Sequence, residues 1–255
     1  ALLTAMGTTI GVGNITGPSL AIVVGGPGAL FWLVAYSFFG CVTKFAEVVF
    51  SITYRKKLPD GSILGGPTQY LRAVTPALGA WYGLITMVLF AGWSGIQANT
   101  LANIFYLESI PQWITGLTLA TIAFVSLLGG IKRIGAIASK LVPFMFVCYI
   151  SFASFILFRD LSVLVHAIKL VFSHAFTPCA AVGGFLGSTV FTAIKSGTYK
   201  SVFITEAGVG TSSIAHAMAD TDSAQDQATL AMFSIIADML LSIVSGLLVI
   251  VTGIW

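Results

Sequence analysis

An apolar stretch long enough to cross a bilayer opens this chain, and its middle is built from residues that resist helix formation. Twelve consecutive positions read Gly7-Thr8-Thr9-Ile10-Gly11-Val12-Gly13-Asn14-Ile15-Thr16-Gly17-Pro18. Each glycine costs about 1 kcal/mol relative to alanine in a helix interior. Pro18 has no N–H to give to the carbonyl of Asn14. In hydrocarbon a free backbone group costs several kcal/mol, so irregular backbone persists only where it is buried in protein or lines a cavity. The first span, Leu3 to Val24, is therefore expected to break near its middle. The N-terminal end of the outer half, at Gly13 and Asn14, would present N–H groups suited to a carboxylate. The C-terminal end of the inner half, from Thr8 to Gly11, would present carbonyls suited to sodium. Secondary transporters build midplane sites in this way. The pairs Gly7/Gly11 and Gly13/Gly17 equally suit close helix packing, and the span alone does not separate the two readings.

The rest of the chain is as apolar. Hydrophobic residues make up 57% and charged residues 8%, too few charges to cover a water-soluble domain. The expected fold is an all-α membrane protein with seven transmembrane helices. The other six spans are Ala29–Thr53, Leu78–Leu107, Trp113–Leu128, Ala136–Phe158, Ala181–Ser201 and Ala228–Trp255. Nucleic-acid binding is excluded, because the basic residues form no patch beside aromatics. Cys41, Cys148 and Cys179 share no motif spacing and read as small buried hydrophobes. The histidines show no metal spacing, and His216 is expected to be solvated or capping. No nucleophile–base pair supports an enzyme. The start at Ala1 and the end at Trp255 suggest a fragment, and no signal peptide is seen.

The basic residues suggest an orientation. Arg55, Lys56, Lys57, Arg72, Lys132, Arg133, Lys140, Lys195 and Lys200 fall on one side of the expected topology, against Arg159 and Lys169 on the other. The positive-inside rule places the richer side in the cytoplasm. Residues 58–76 should form an ordered cytoplasmic loop, 161–172 a helix in the outer interface, and 202–226 a second cytoplasmic connection.

Span six carries a second glycine-rich stretch, Gly183-Gly184-Phe185-Leu186-Gly187-Ser188-Thr189-Val190-Phe191-Thr192. Five spans separate its start from that of span one, so the two enter from opposite sides. Paired interruptions in inverted repeats point to a transport site and favour that reading of span one. Span three adds Ser94, Gln97 and Asn99, of which Gln97 is the better ligand candidate. Lys44 and Glu47 lie on one face of span two, and Asp238 lies at a similar depth in span seven. Such charges need partners, as a structural ion pair or as an ion-coupling device.

From Gly11-Val12-Gly13-Asn14-Ile15 onward the sequence resembles the alanine or glycine:cation symporters, the sodium:alanine symporter family. Gly25-Gly26-Pro27-Gly28 with Phe31-Trp32, Thr43-Lys44-Phe45-Ala46-Glu47, Gly65-Gly66-Pro67, Gly129-Gly130-Ile131-Lys132-Arg133, Lys140-Leu141-Val142-Pro143-Phe144-Met145, Ala175-Phe176-Thr177-Pro178, and Glu206-Ala207-Gly208-Val209-Gly210 with Ile214-Ala215-His216-Ala217 carry the likeness in order. The family usually has Thr at Val12, Arg at Lys195, Asn at Thr205 and Met at Val209. The resemblance implies a leucine-transporter-type fold of two inverted five-helix repeats. The first would occupy 1–158, the second would begin at 175–255, and helices would be missing at both ends. It implies symport of alanine, glycine or a similar small neutral amino acid with sodium, or less often protons, in the cell membrane and without a cofactor. Substrate contacts are expected from Gly11, Gly13, Asn14, Gln97, Phe185, Ser188 and Thr192, and sodium contacts from Thr8, Thr9, Asn14 and Thr189. A channel or passive facilitator is the alternative.

Overall fold

The computed structural model describes residues 1–59, 61–178 and 189–255. Among these, eleven helices follow one another: α1 (Leu2–Thr9), α2 (Gly13–Gly25), α3 (Gly28–Thr53), α4 (Pro67–Val74), α5 (Pro76–Leu107), α6 (Gln112–Leu127), α7 (Gly130–Leu157), α8 (Leu161–Phe176), α9 (Val190–Thr205), α10 (Thr211–Ala217) and α11 (Ala224–Thr252). A two-residue hairpin, β1 (Lys56–Lys57) against β2 (Ile63–Leu64), stands between α3 and α4.

The chain is an all-α membrane protein. Four helices are long and apolar enough to span: α3, α5, the Arg133–Leu157 part of α7, and α11. The pair α1–α2, bent by 41°, makes a fifth. Among the described residues the expected count of seven is not reached by length and composition. Helix α6, with 16 residues, rises about 24 Å, short of the roughly 30 Å hydrocarbon core. The described part of α9 has the same length. The apolar side chains Leu84, Ile85, Met87 and Val88 of α5 are exposed, as a lipid-facing surface requires.

Small residues draw the central helices together. Helix α9 packs on α2 and α3, and α11 packs on α2 and α3. A Cβ on Gly197 would lie 2.3 Å from the carbonyl oxygen of Ala29, so α9 and α3 approach closely there. Ala21, Ala29, Leu33, Ala193 and Ile204 form the core of this contact. A second cluster joins Ile22, Leu30 and Ile250 to Ala167 and Val171 of α8. Helix α8 begins on its Asp160 cap, whose carboxylate accepts from the Ser162 hydroxyl and the Val163 N–H and is held below its ordinary range by them. It ends where Trp32 donates to the carbonyl of Ala175 at 2.9 Å.

Helix α9 runs antiparallel to α2. Ser196 donates to Ala21 O at 3.2 Å, while further along α9 Phe203 and Ile204 meet Gly13 and Gly17. This direction bears out the expected inversion of spans one and six. One expectation is corrected: Lys195 and Lys200 lie within α9, not at its end. Within residues 202–226, expected as a connection, α10 packs on α1 and α3.

Candidate substrate and ion site

The expected break in the first span lies at residues 10–12, between α1 and α2. Its N–H groups are mostly spent. Gly11 N–H donates to Asn14 Oδ1 at 2.9 Å, and Val12 N–H donates to Gln97 Oε1 at 3.2 Å. The N–H groups of Asn14, Ile15 and Thr16 go to the carbonyls of Gly11 and Val12. Gly13 N–H is left as the group at the break without an acceptor among the described residues. On the other side of the break, Gly7, Thr8 and Ile10 carbonyls lose their helical donors, because Gly11, Val12 and Asn14 bond elsewhere.

Asn14 is 2% exposed, and its Nδ2 donates to Asp238 Oδ1 at 3.0 Å. The Thr9 side chain faces the same carboxylate. Asp238 is fully buried, and its Oδ2 has no hydrogen bond among the described residues. A buried carboxylate with one donor and an open oxygen, beside released carbonyls, has the hard-oxygen chemistry of a sodium site.

A second break, at residues 206–210, separates α9 from α10. Glu206 adopts a left-handed conformation (φ 51°), and Gly208 and Gly210 follow at φ 95° and 89°. The two broken helices lie side by side, with α2 against α9 and α1 against α10. The sequence reading placed the second interruption at 183–192, of which 183–188 lies outside the described residues. Phe185 and Ser188 lie outside the described residues. Thr189 caps the start of α9, accepting from Thr192 N–H. Ala193, next to Thr192, lies against Gly25 at the far end of α2. From Thr192 to Phe203, which reaches the break, is about 16 Å along the helix. Neither threonine reaches the site assigned to it.

One face of α3 holds the second break. Lys44 Nζ donates to Thr205 O at 3.2 Å and to Ser212 Oγ at 2.6 Å. The Glu47 carboxylate faces the N–H groups of Gly208 and Gly210. Ser51 donates to Ser213 O, and Arg55 donates to the carbonyls of Ala217, Ala219 and Thr221. Lys44 and Glu47 attract one another, but the hydrogen bonds of Lys44 go to α9 and α10, so a simple pair on α3 is not what the structure builds. From α5, Tyr82 donates to Val209 O at 2.6 Å. His216 is fully buried, with Nδ1 2.7 Å from Gln227 Nε2, which corrects the expectation that it is solvated.

A cavity of about 560 Å³ joins the two breaks. Thr8, Thr9, Gly13, Ser94, Gln97 and Glu206 are among its lining, with Phe90, Trp93 and Phe203 as aromatic wall. Trp93 and Phe203 meet edge to face at 5.3 Å. Thr68, Thr211 and Met218 extend the cavity toward the α3–α4 and α10–α11 connections. Glu206, Tyr82, Trp93 and Phe203 were not picked out as site residues in the sequence. Asn99 is exposed and lies outside the lining.

The profile of the sodium:alanine symporter family matches residues 1–255. The chain is 36% identical to the sodium/alanine symporter AgcS of Methanococcus maripaludis, across 99% of this chain and 57% of that protein. It is 34% identical to an uncharacterized transporter of Haemophilus influenzae, across 100% and 57%. It is 30% identical to the sodium/proton-dependent alanine carrier protein of Bacillus sp. PS3, across 99% and 57%. The chain thus spans little more than half the length of these relatives.

Proposed function

Because this chain belongs to the sodium:alanine symporter family, a family of transporters and not of enzymes, we propose that the whole protein carries a small neutral amino acid across the cell membrane together with a cation. The observation that carries this reading is the pair of broken helices facing one cavity. In transporters such breaks supply positive helix ends to the substrate and carbonyls to the coupling ion. The antiparallel course of α2 and α9 supports the finer reading of a leucine-transporter-type fold, with a first repeat in 1–158 and a second beginning near 175.

Alanine or glycine is the proposed substrate, in keeping with the alanine carriers among the relatives. Its carboxylate would take the free N–H of Gly13, with the Gln97 amide beside it. Its short side chain would face Trp93 and Phe203. Sodium, or else a proton, would be held at Thr9, Asn14 and Asp238, with the Thr8 carbonyl adjacent. A cation bound there adds weight to one conformation and raises substrate affinity by linkage. The test is equilibrium binding of alanine to the purified full-length protein, with and without sodium. The reading expects sodium to tighten binding. Alanine affinity that ignored both sodium and pH would sink it.

A further inference from the structure

The cavity has one charged wall. Among the described lining residues, Glu206 alone carries a charge; the others are hydroxyls, the Gln97 amide, rings and aliphatic groups. Those described residues include no lysine or arginine. Thr211 donates to Glu206 Oε2, and no other hydrogen-bond donor reaches the carboxylate among the described residues. Lys44 faces it electrostatically, yet the ammonium of Lys44 is engaged by Thr205 O and Ser212 Oγ.

Glu206 also sits where a helix dipole reinforces it. It caps the C-terminus of α9, the negative end of that helix. Gly13 opens α2, the positive end, and lines the same cavity. The ring of Phe203, one helical turn before Glu206, packs on Gly13, and all three residues line the one cavity. A positive and a negative pole facing one cavity match the two charged ends of an α-amino acid.

We propose that the Glu206 carboxylate binds the α-ammonium group of the substrate, opposite Gly13, which takes its carboxylate. This rests on the amino-acid reading above and deepens it, because it assigns the recognition of the charged nitrogen to the second break. Compounds that keep the carboxylate and lose the ammonium are excluded, since they leave a buried carboxylate facing an uncharged group. Amino acids with the ammonium several carbons away separate their two charges more widely than an α-amino acid does.

The experiment measures binding of L-alanine, L-lactate, propionate and γ-aminobutyrate to the purified full-length protein in sodium, for the wild type and Glu206→Gln. In the wild type, alanine binds and the other three fail to compete. Glu206→Gln weakens alanine about 10- to 100-fold, the scale of one charge-assisted hydrogen bond, and leaves sodium affinity without alanine within about twofold. Lactate competing as well as alanine overturns the proposal, as does wild-type alanine affinity in the variant. Equal losses of alanine and sodium affinity also overturn it, by moving Glu206 to the ion site. If the variant does not fold, competition in the wild type decides alone. A wild type that binds no amino acid removes the functional reading itself, an outcome distinct from these.

Discussion

The amide of Asn14, on the first helix after the break, donates to the carboxylate of Asp238, 224 positions later, at 3.0 Å and out of contact with water. This bond ties α2 to α11 at the depth of the break. Removing one partner of a buried charged contact costs about 3 kcal/mol or more, because the other is left unsatisfied. Asn14→Ala should therefore lower the stability of the full-length protein by that order. In a double-mutant cycle with Asp238→Asn, thermal unfolding should show that the two effects do not add.

The same pair carries an ion prediction. Asp238→Asn keeps shape and removes charge. Sodium dependence of uptake should shift at least 10-fold to higher concentration, while Asn14 keeps a hydrogen-bond partner. Unchanged sodium dependence would separate Asp238 from the ion site.

Gln97 accepts from Val12 N–H and packs against Gly11, where an added Cβ would lie 3.2 Å from Nε2. Gln97→Ala should free that N–H and loosen the break. The expected result is a rise in the KM for alanine of about 10-fold, the worth of about one hydrogen bond, with little change in thermal stability.

Close helix packing makes a separate, site-independent prediction. Gly197→Ala places its Cβ against the backbone of α3 and should cost about 1–3 kcal/mol through overpacking. Gly83→Ala and Gly95→Ala meet nothing within 4 Å and should be neutral or stabilising by up to about 1 kcal/mol. Thermal denaturation of the three variants checks the contrast.

Arg55 binds the carbonyls of Ala217, Ala219 and Thr221, so it fastens the connection between α10 and α11 to α3. Arg55→Ala should raise amide hydrogen exchange across 217–223 while leaving exchange in α2 unchanged.

The first break was legible because its signals are local. Four glycines and Pro18 tax a helix wherever it is placed, and Asn14 does sit at the start of α2. The spans α3, α5 and α11 were legible from apolar length. The break at 206–210 is less legible. Glycine content draws the eye to 183–187, which lies outside the described residues, whereas the chain turns at Glu206, a non-glycine residue in the left-handed region. Lys195, Lys200 and Glu206 make this stretch read as the edge of a cytoplasmic loop. Lys44, Glu47 and Ser51 follow helical spacing along α3, with Arg55 just past its end, but most of their partners are backbone groups of 205–221. Backbone partners leave no mark in a sequence, so Lys44 and Glu47 looked like partners of one another.

Concentrative uptake tests the central claim most directly. The full-length protein in liposomes, with sodium higher outside, should accumulate labelled alanine inside above its external concentration. Collapsing the sodium gradient should bring the level down to equilibrium, or else an imposed proton gradient should replace sodium. Accumulation that never exceeds equilibrium under either gradient would contradict the account, since two broken helices around one cavity would then serve a passive pathway.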